Sequence, residues 1–203
     1  MNIYQSIVAS LVVGVVMSGC SVDVGGDDEE GSPSSGGTGG ISTPTMTAET
    51  KQDYLDAINN ARAVDQDCGS EGLKSAVPAL AWSDALYAVA FEHSRDMALS
   101  NTFDHTGSGG ESDITAQEEN LGHGSTMRER IEHNGYQWSK LGENIAAGTT
   151  TDTAPEVINQ WIASPGHCAN LMNPDFTEVG MAMVEESNSE YTHYWTQNFA
   201  KPQ

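Results

Sequence analysis

WIASPGHCANLMNP, residues 161–174, carries two instructions that elementary stereochemistry can read. Ser164 followed by Pro165 is a helix start: the serine serves as N-cap, and the proline, with no N–H to lose, fits the first turn. His167 then falls among free backbone N–H groups at the positive end of a helix dipole, which disfavours imidazolium. A ring kept neutral near pH 7 retains the lone pair that metal coordination or general-base action needs. Just upstream, Pro155 suits another first turn, and Val157, Ile158, Trp161 and Ile162 supply the buried face of that helix.

Two further blocks, GENIA at 142–146 and FDHTG at 103–107, add Glu143 and His105. The three side chains lie far apart in the chain, and nothing local forces them together as HExxH does on one helix. Read singly, His105 is a loop residue, Glu143 a solvated acid or helix cap, and His167 a surface group. Read together, they could equally form a buried polar network that holds shape without turnover.

Thr47 caps a segment whose Tyr54, Leu55, Ile58 and Ala61 share one helical face, and this helix ends before Gly69. Ser83 caps a second, with Leu86, Ala90, His93 and Met97 stacked, and His93 in that stripe reads as a hydrogen-bonded core group. Residues 106–125 are glycine-rich and polar and read as a long loop, and the lack of a P-loop lysine argues against nucleotide binding. Ser125 is expected to cap a short helix carrying Met127, Arg128 and Ile131 that ends at Gly135. His123 and His133 are expected to face solvent, and Asn144 to tie down backbone.

Residues 178–186 and 191–200, separated by 187–190, have the pattern of a hairpin. Val179, Met181 and Met183 fall on one face of the first strand, Gly180, Ala182 and Val184 on the other. Small or apolar residues on both faces demand cover from two sides. Helices first and strands last, without a repeating βαβ unit, define an α+β class with three or four helices flanking a sheet.

Residues 3–17 are mostly apolar and uncharged but too short to span a bilayer comfortably, and Met-Ser-Gly-Cys at 17–20 resembles a bacterial lipoprotein signal. On that reading residues 1–19 are removed and Cys20 carries acyl chains. An ordinary cleaved signal and a freely secreted protein is the alternative. Ser21, where an aspartate would favour inner-membrane retention, points to the outer membrane. Residues 20–46, acidic and rich in Gly and Ser, read as a flexible tether, and 47–203 as the folded head. With Cys20 lipidated, Cys68 and Cys168 are the remaining thiols in a compartment where a pair oxidises, which predicts a disulfide, two separate buried thiols being the alternative. With 29 acidic against 8 basic side chains, a net charge of -21 repels nucleic acid.

FDHTG, GENIA, Trp161 through SPGHCANLMNP, FTEVGMAM at 176–183 and YWTQNFA at 194–200 resemble, in this order, the CAP superfamily of cysteine-rich secretory, antigen 5 and pathogenesis-related proteins (the SCP-like domain), and its bacterial members most closely. The resemblance covers roughly residues 47–200. It implies a three-layer α-β-α sandwich with a central, mainly antiparallel sheet and a groove lined by His105, Glu143 and His167. It also implies a second groove glutamate at the position held here by Ser164, too short and too weakly acidic to replace it. Two imidazoles and a carboxylate can hold Zn²⁺ or another divalent cation with an open position for water. Two readings follow: an envelope-anchored binding module, attached to membrane through Cys20, whose groove takes a lipid, a small apolar molecule or a peptide; or a zinc-dependent hydrolase using His105, His167 and Glu143. No nucleophile motif supports a covalent mechanism.

Overall fold

The computed structural model describes residues 42–203. The expected signal, the lipidation site Cys20 and the tether to residue 41 lie outside the described residues. Residues 42–46 belong to the folded body rather than to a tether: the Tyr87 hydroxyl donates to the Pro44 carbonyl at 3.0 Å, and Met46 packs against the cluster of Tyr87, Ala90 and Ala182. Among the described residues no helix is long and apolar enough to cross a membrane.

Helix α1 spans Ala48–Arg62 under the expected Thr47 cap, whose side chain accepts from the Thr50 N–H. A ribbon of β1 (Gln66–Asp67) and β2 (Leu73–Lys74) and a short strand β3 (Ala81–Trp82) lead to α2 (Asp84–Ser100), capped by Ser83 and ended by Asn101 in the left-handed region at φ 55°. Then come α3 (Ile114–Glu118), α4 (Met127–His133), β4 (Trp138–Gly148), α5 (Ala154–Ile162), α6 (Pro165–Leu171), β5 (Glu178–Glu185) and β6 (His193–Pro202).

The sheet runs β3-β5-β6-β4, with β3 parallel to β5 and the other pairs antiparallel. The two-faced reading of the 178–185 strand holds. Val179 and Met181 pack with α1 and α5 in a core that includes Ile58, Ile158, Trp161, Trp195 and Phe199. On the other face Ala182 meets Tyr87 and Ala90 of α2, and α2 lies so close at Gly180 that an added Cβ would come within 2.1 Å of the Tyr87 nitrogen. Helices α1, α5 and α6 cover one face and α2 the other, which makes the three-layer α-β-α sandwich. Arg62, fully buried, ties the layers' loops: its guanidinium donates to the carbonyls of Pro78, Leu171 and Asn173.

Four expectations need correction. The 106–125 loop contains α3, capped by the Asp113 carboxylate, which accepts from the Ala116 N–H at 3.2 Å. The cap of α4 is Thr126 in a capping box with Glu129, because Ser125 is buried and turned to Arg130. Glu143 is neither a solvated acid nor a helix cap: it is buried in the middle of β4, which pairs with β6 along its length. His133 does not face solvent freely; its ring lies 2.7 Å from Glu119 and 3.1 Å from Glu118.

Candidate functional site

Strand β4 is an edge, since its single sheet neighbour is β6. Strand alternation sends Glu143 and Ile145 to the α2 face, Asn144 and Ala146 to the opposite one. The cleft forms over this edge, between the two helical layers. Phe103 from the segment after α2, Ile145–Ala147 of β4, Gln160 and Trp161 of α5, and Ser164 and His167 of α6 enclose a hollow of about 240 Å³.

Glu143 is 6% exposed and fully engaged. Its Oε1 lies 2.8 Å from Nδ1 of His105; its Oε2 accepts from Arg130 at 2.9 Å and from the Asn198 amide at 3.1 Å. Arg130, 1% exposed, also donates to the backbone carbonyls of Ser125 and His105, so one buried guanidinium fixes both the carboxylate and the loop that carries His105. Burial alone would raise the Glu143 pKa, but the Arg130 charge and the His105 hydrogen bond outweigh it and hold it at about 2. The same hydrogen bond raises the pKa of His105, whose side chain is half exposed. His167 is shifted the opposite way, first by burial and then by the nearby His105. Asn144 ties down backbone as expected, donating to the His167 carbonyl at 3.1 Å and so drawing α6 to β4.

The structure therefore brings His105 into contact with Glu143 and His167 close enough to feel the His105 charge, but of the three only His167 lines the hollow; the expected groove lined by all of them is corrected to that extent. It adds Arg130, Asn198 and Phe103, which sequence reasoning missed. Arg130 adjoins the apolar Ile131, and nothing in the local pattern distinguishes a buried arginine from a solvated one; Phe103 stood within a quoted block, but its 46% exposure is a tertiary fact. Cys68 and Cys168 form the expected disulfide, with Cα atoms 5.4 Å apart, next to His167. Among the described residues no group of three or more His, Cys, Asp or Glu stands together at ligand spacing.

Under this site His93 is fully buried, as its place in the α2 stripe implied, with Nε2 3.1 Å from the Asp104 carbonyl and Nδ1 without a partner. Burial, with Arg130 adding to it, lowers its pKa from 6.5 to about 4. Between those values the unfolded chain takes up a proton that the folded ring refuses, so stability is full above about pH 6.5 and falls as the pH drops to about 4. Glu143 acts in the next window down: its depressed pKa gives stability present above 4.5 and lost as the pH falls toward 2. A His93→Gln variant is expected to show a flatter thermal midpoint than the wild type between pH 6.5 and 4, with both chains losing stability below 4.5, in scans at half-unit steps.

A three-layer α-β-α sandwich with a histidine–carboxylate pair at the free edge of its sheet defines a class of fold. The chain belongs to the CAP, or cysteine-rich secretory protein, family, whose model matches residues 55–199. Two relatives from Bacillus subtilis (strain 168) are an uncharacterized membrane protein, YlbC, 30% identical over 129 residues, and an uncharacterized protein, YkwD, 32% identical over 130. Each match covers 64% of this chain but only 31% and 42% of the relatives' own length. Among solved structures, an extracellular SCP-domain protein from Bacillus anthracis is 26% identical with TM-score 0.53, covering 79% of this chain and 45% of that one. An outer surface protein from Borrelia burgdorferi shares the fold at 19% identity and TM-score 0.55, covering 80% of this chain and 100% of that one.

Proposed function

We propose that this chain is an extracytoplasmic CAP-domain binding protein, held at the bacterial cell envelope through a lipidated Cys20 in the outer membrane, whose cleft receives a lipid, a small apolar molecule or a peptide. The observation that carries the reading is the engagement of both oxygens of Glu143. Three of the roughly four acceptor positions of its carboxylate are taken by His105, Arg130 and Asn198, which suits a structural anchor better than a base for water. The hollow beside it presents Phe103, Ile145, Ala146 and Ala147 as apolar wall. A location outside the cytoplasm draws support from the extracellular relative of B. anthracis, and attachment to a membrane from the membrane relative of B. subtilis.

One observation favours the second reading, a zinc-dependent hydrolase: Glu143 holds His105 by Nδ1, which leaves the other ring nitrogen for a ligand role, and His167 is shifted down toward the neutral ring that coordination needs. With Glu143 engaged on both oxygens, a divalent cation would be held by His105 and His167, and Glu143 would orient His105 from behind. A bound Zn²⁺ would supply Lewis-acid activation of water.

Full-length protein, purified without a histidine tag, separates the two by mass spectrometry of bound organic molecules together with elemental analysis. An apolar or peptidic molecule near equimolar amount, lost on Phe103→Asp and retained in a His105→Ala variant, is the expected result. Stoichiometric zinc lost from the His105→Ala variant, with no organic ligand, would transfer the assignment to the hydrolase.

A further inference from the structure

The register of the sheet leaves one stretch of backbone without a partner, and it lies in the cleft. The indole of Trp161 donates to the Ile145 carbonyl at 3.0 Å and the Asn170 amide to the Glu143 carbonyl at 3.2 Å. In an antiparallel pair successive residues turn their N–H and C=O to alternate sides. The odd-numbered residues of this part of β4 therefore face away from β6, and Ala147, opposite Tyr194, faces away with them. Helix side chains take the carbonyls of 143 and 145; among the described residues nothing takes the N–H or C=O of Ala147, which lines the hollow and is half-buried. An apolar hollow containing unpaired backbone groups calls for a ligand with a donor and an acceptor at peptide spacing, which a hydrocarbon chain lacks.

The charge around the hollow selects which part of a peptide fits. The chain carries a net -21, yet no acidic side chain lines this hollow, and Glu143, on the strand that lines it, is paired with Arg130. Three lining side chains that can donate, Gln160, Ser164 and His167, make no hydrogen bond among the described residues. Ser164 is the clearest case: it holds the N-cap position of α6, but its hydroxyl makes no cap bond. Serine here presents a neutral donor and no charge that would repel an anion. The volume of about 240 Å³ falls below the roughly 300–1,000 Å³ of pockets that bury whole drug-sized ligands and suits one or two residues.

We propose that the occupant is the C-terminal end of an extended polypeptide, added antiparallel to β4 at Ala147, its last apolar side chain against Phe103 and its terminal carboxylate on Ser164, Gln160 and His167. Antiparallel addition points the peptide's C-terminus back along β4 toward Glu143. There the Trp161 and Asn170 side chains have already taken the strand's carbonyls, so the pairing ends after one residue pair. The proposal rests on the binding reading above and selects the peptide within it.

The test uses the full-length protein and a fluorescein-labelled pool of hexapeptides ending in Val, Leu, Ile or Phe, prepared as free acids and as C-terminal amides. The free acids are expected to bind at least about tenfold more tightly than the amides, a difference of about 1.4 kcal/mol. Ser164→Glu is expected to erase that preference. Ala147→Pro, which removes an N–H that faces away from the ladder and so leaves the sheet paired, is expected to weaken both forms at least tenfold while circular dichroism stays unchanged. Equal affinity for acid and amide, or full affinity in the proline variant, would overturn the proposal. If peptides fail but dodecanoate or extracted phospholipid binds in the cleft, the peptide is wrong and the binding reading stands; if neither binds, both fall.

Discussion

Replacing Arg130 with methionine is expected to lower the unfolding free energy by about 3–5 kcal/mol, the range for removing one partner of a buried ion pair. Methionine fills much of the same volume, so the loss comes from charge and hydrogen bonding rather than from a cavity. Glu143, with a side chain 3% exposed, would keep its charge without its counter-ion, and two carbonyls, of Ser125 and His105, would lose their donor. The Glu143 carboxyl would respond by titrating at higher pH, and taking up a proton in the folded state relieves the unpaired charge as the pH falls. The check is denaturant unfolding at pH 7 and pH 5, with the deficit of the variant smaller at pH 5. A paired Arg130→Met, Glu143→Leu variant is expected to recover much of the loss, because exchanging a whole buried pair for apolar residues is often neutral. If the single variant is as stable as the wild type, the guanidinium does not hold the cleft.

Removing the disulfide is the second large effect. Cys68 and Cys168 are separated by 100 residues, and both are buried with Met172, Val77 and Ile162. The double Cys68→Ala, Cys168→Ala variant is expected to lose about 2–5 kcal/mol, since the unfolded chain regains the freedom that the link removed. The local consequence is more specific. The link joins the segment after β1 to α6, the helix that carries His167, so amide exchange at 166–169 is expected to accelerate more than in α2. Uniform acceleration across the domain would mean that the link acts on the unfolded state alone.

The helix starts were legible because caps act within one turn. Thr47, Ser83 and the Ser164–Pro165 pair each mark the residue before a helix. The two-faced strand at 178–185 was legible because alternation with small residues on both sides has one physical solution, cover from both. The Thr126 cap was displaced by one residue, since Ser125 and Thr126 are equal candidates until burial separates them. Strand β4 was not legible: Glu143 and Asn144 in mid-strand break the apolar alternation, and both are tolerated because Arg130, His105, Gln197 and Asn170 satisfy them from other elements.

The amino-acid sequence by itself determined the family-specific blocks, the starts of α1, α2 and α6 and the class of fold, because caps, turn chemistry and side-chain period are local and survive without neighbours. Tertiary structure alone decided that Glu143 is held by Arg130, that His105 and His167 flank one strand edge, and that the backbone of Ala147 is left open in the cleft. Those outcomes depend on which groups are withdrawn from water together, and desolvation at a point is set by residues from β4, α4, α5 and α6 that meet only when the layers close.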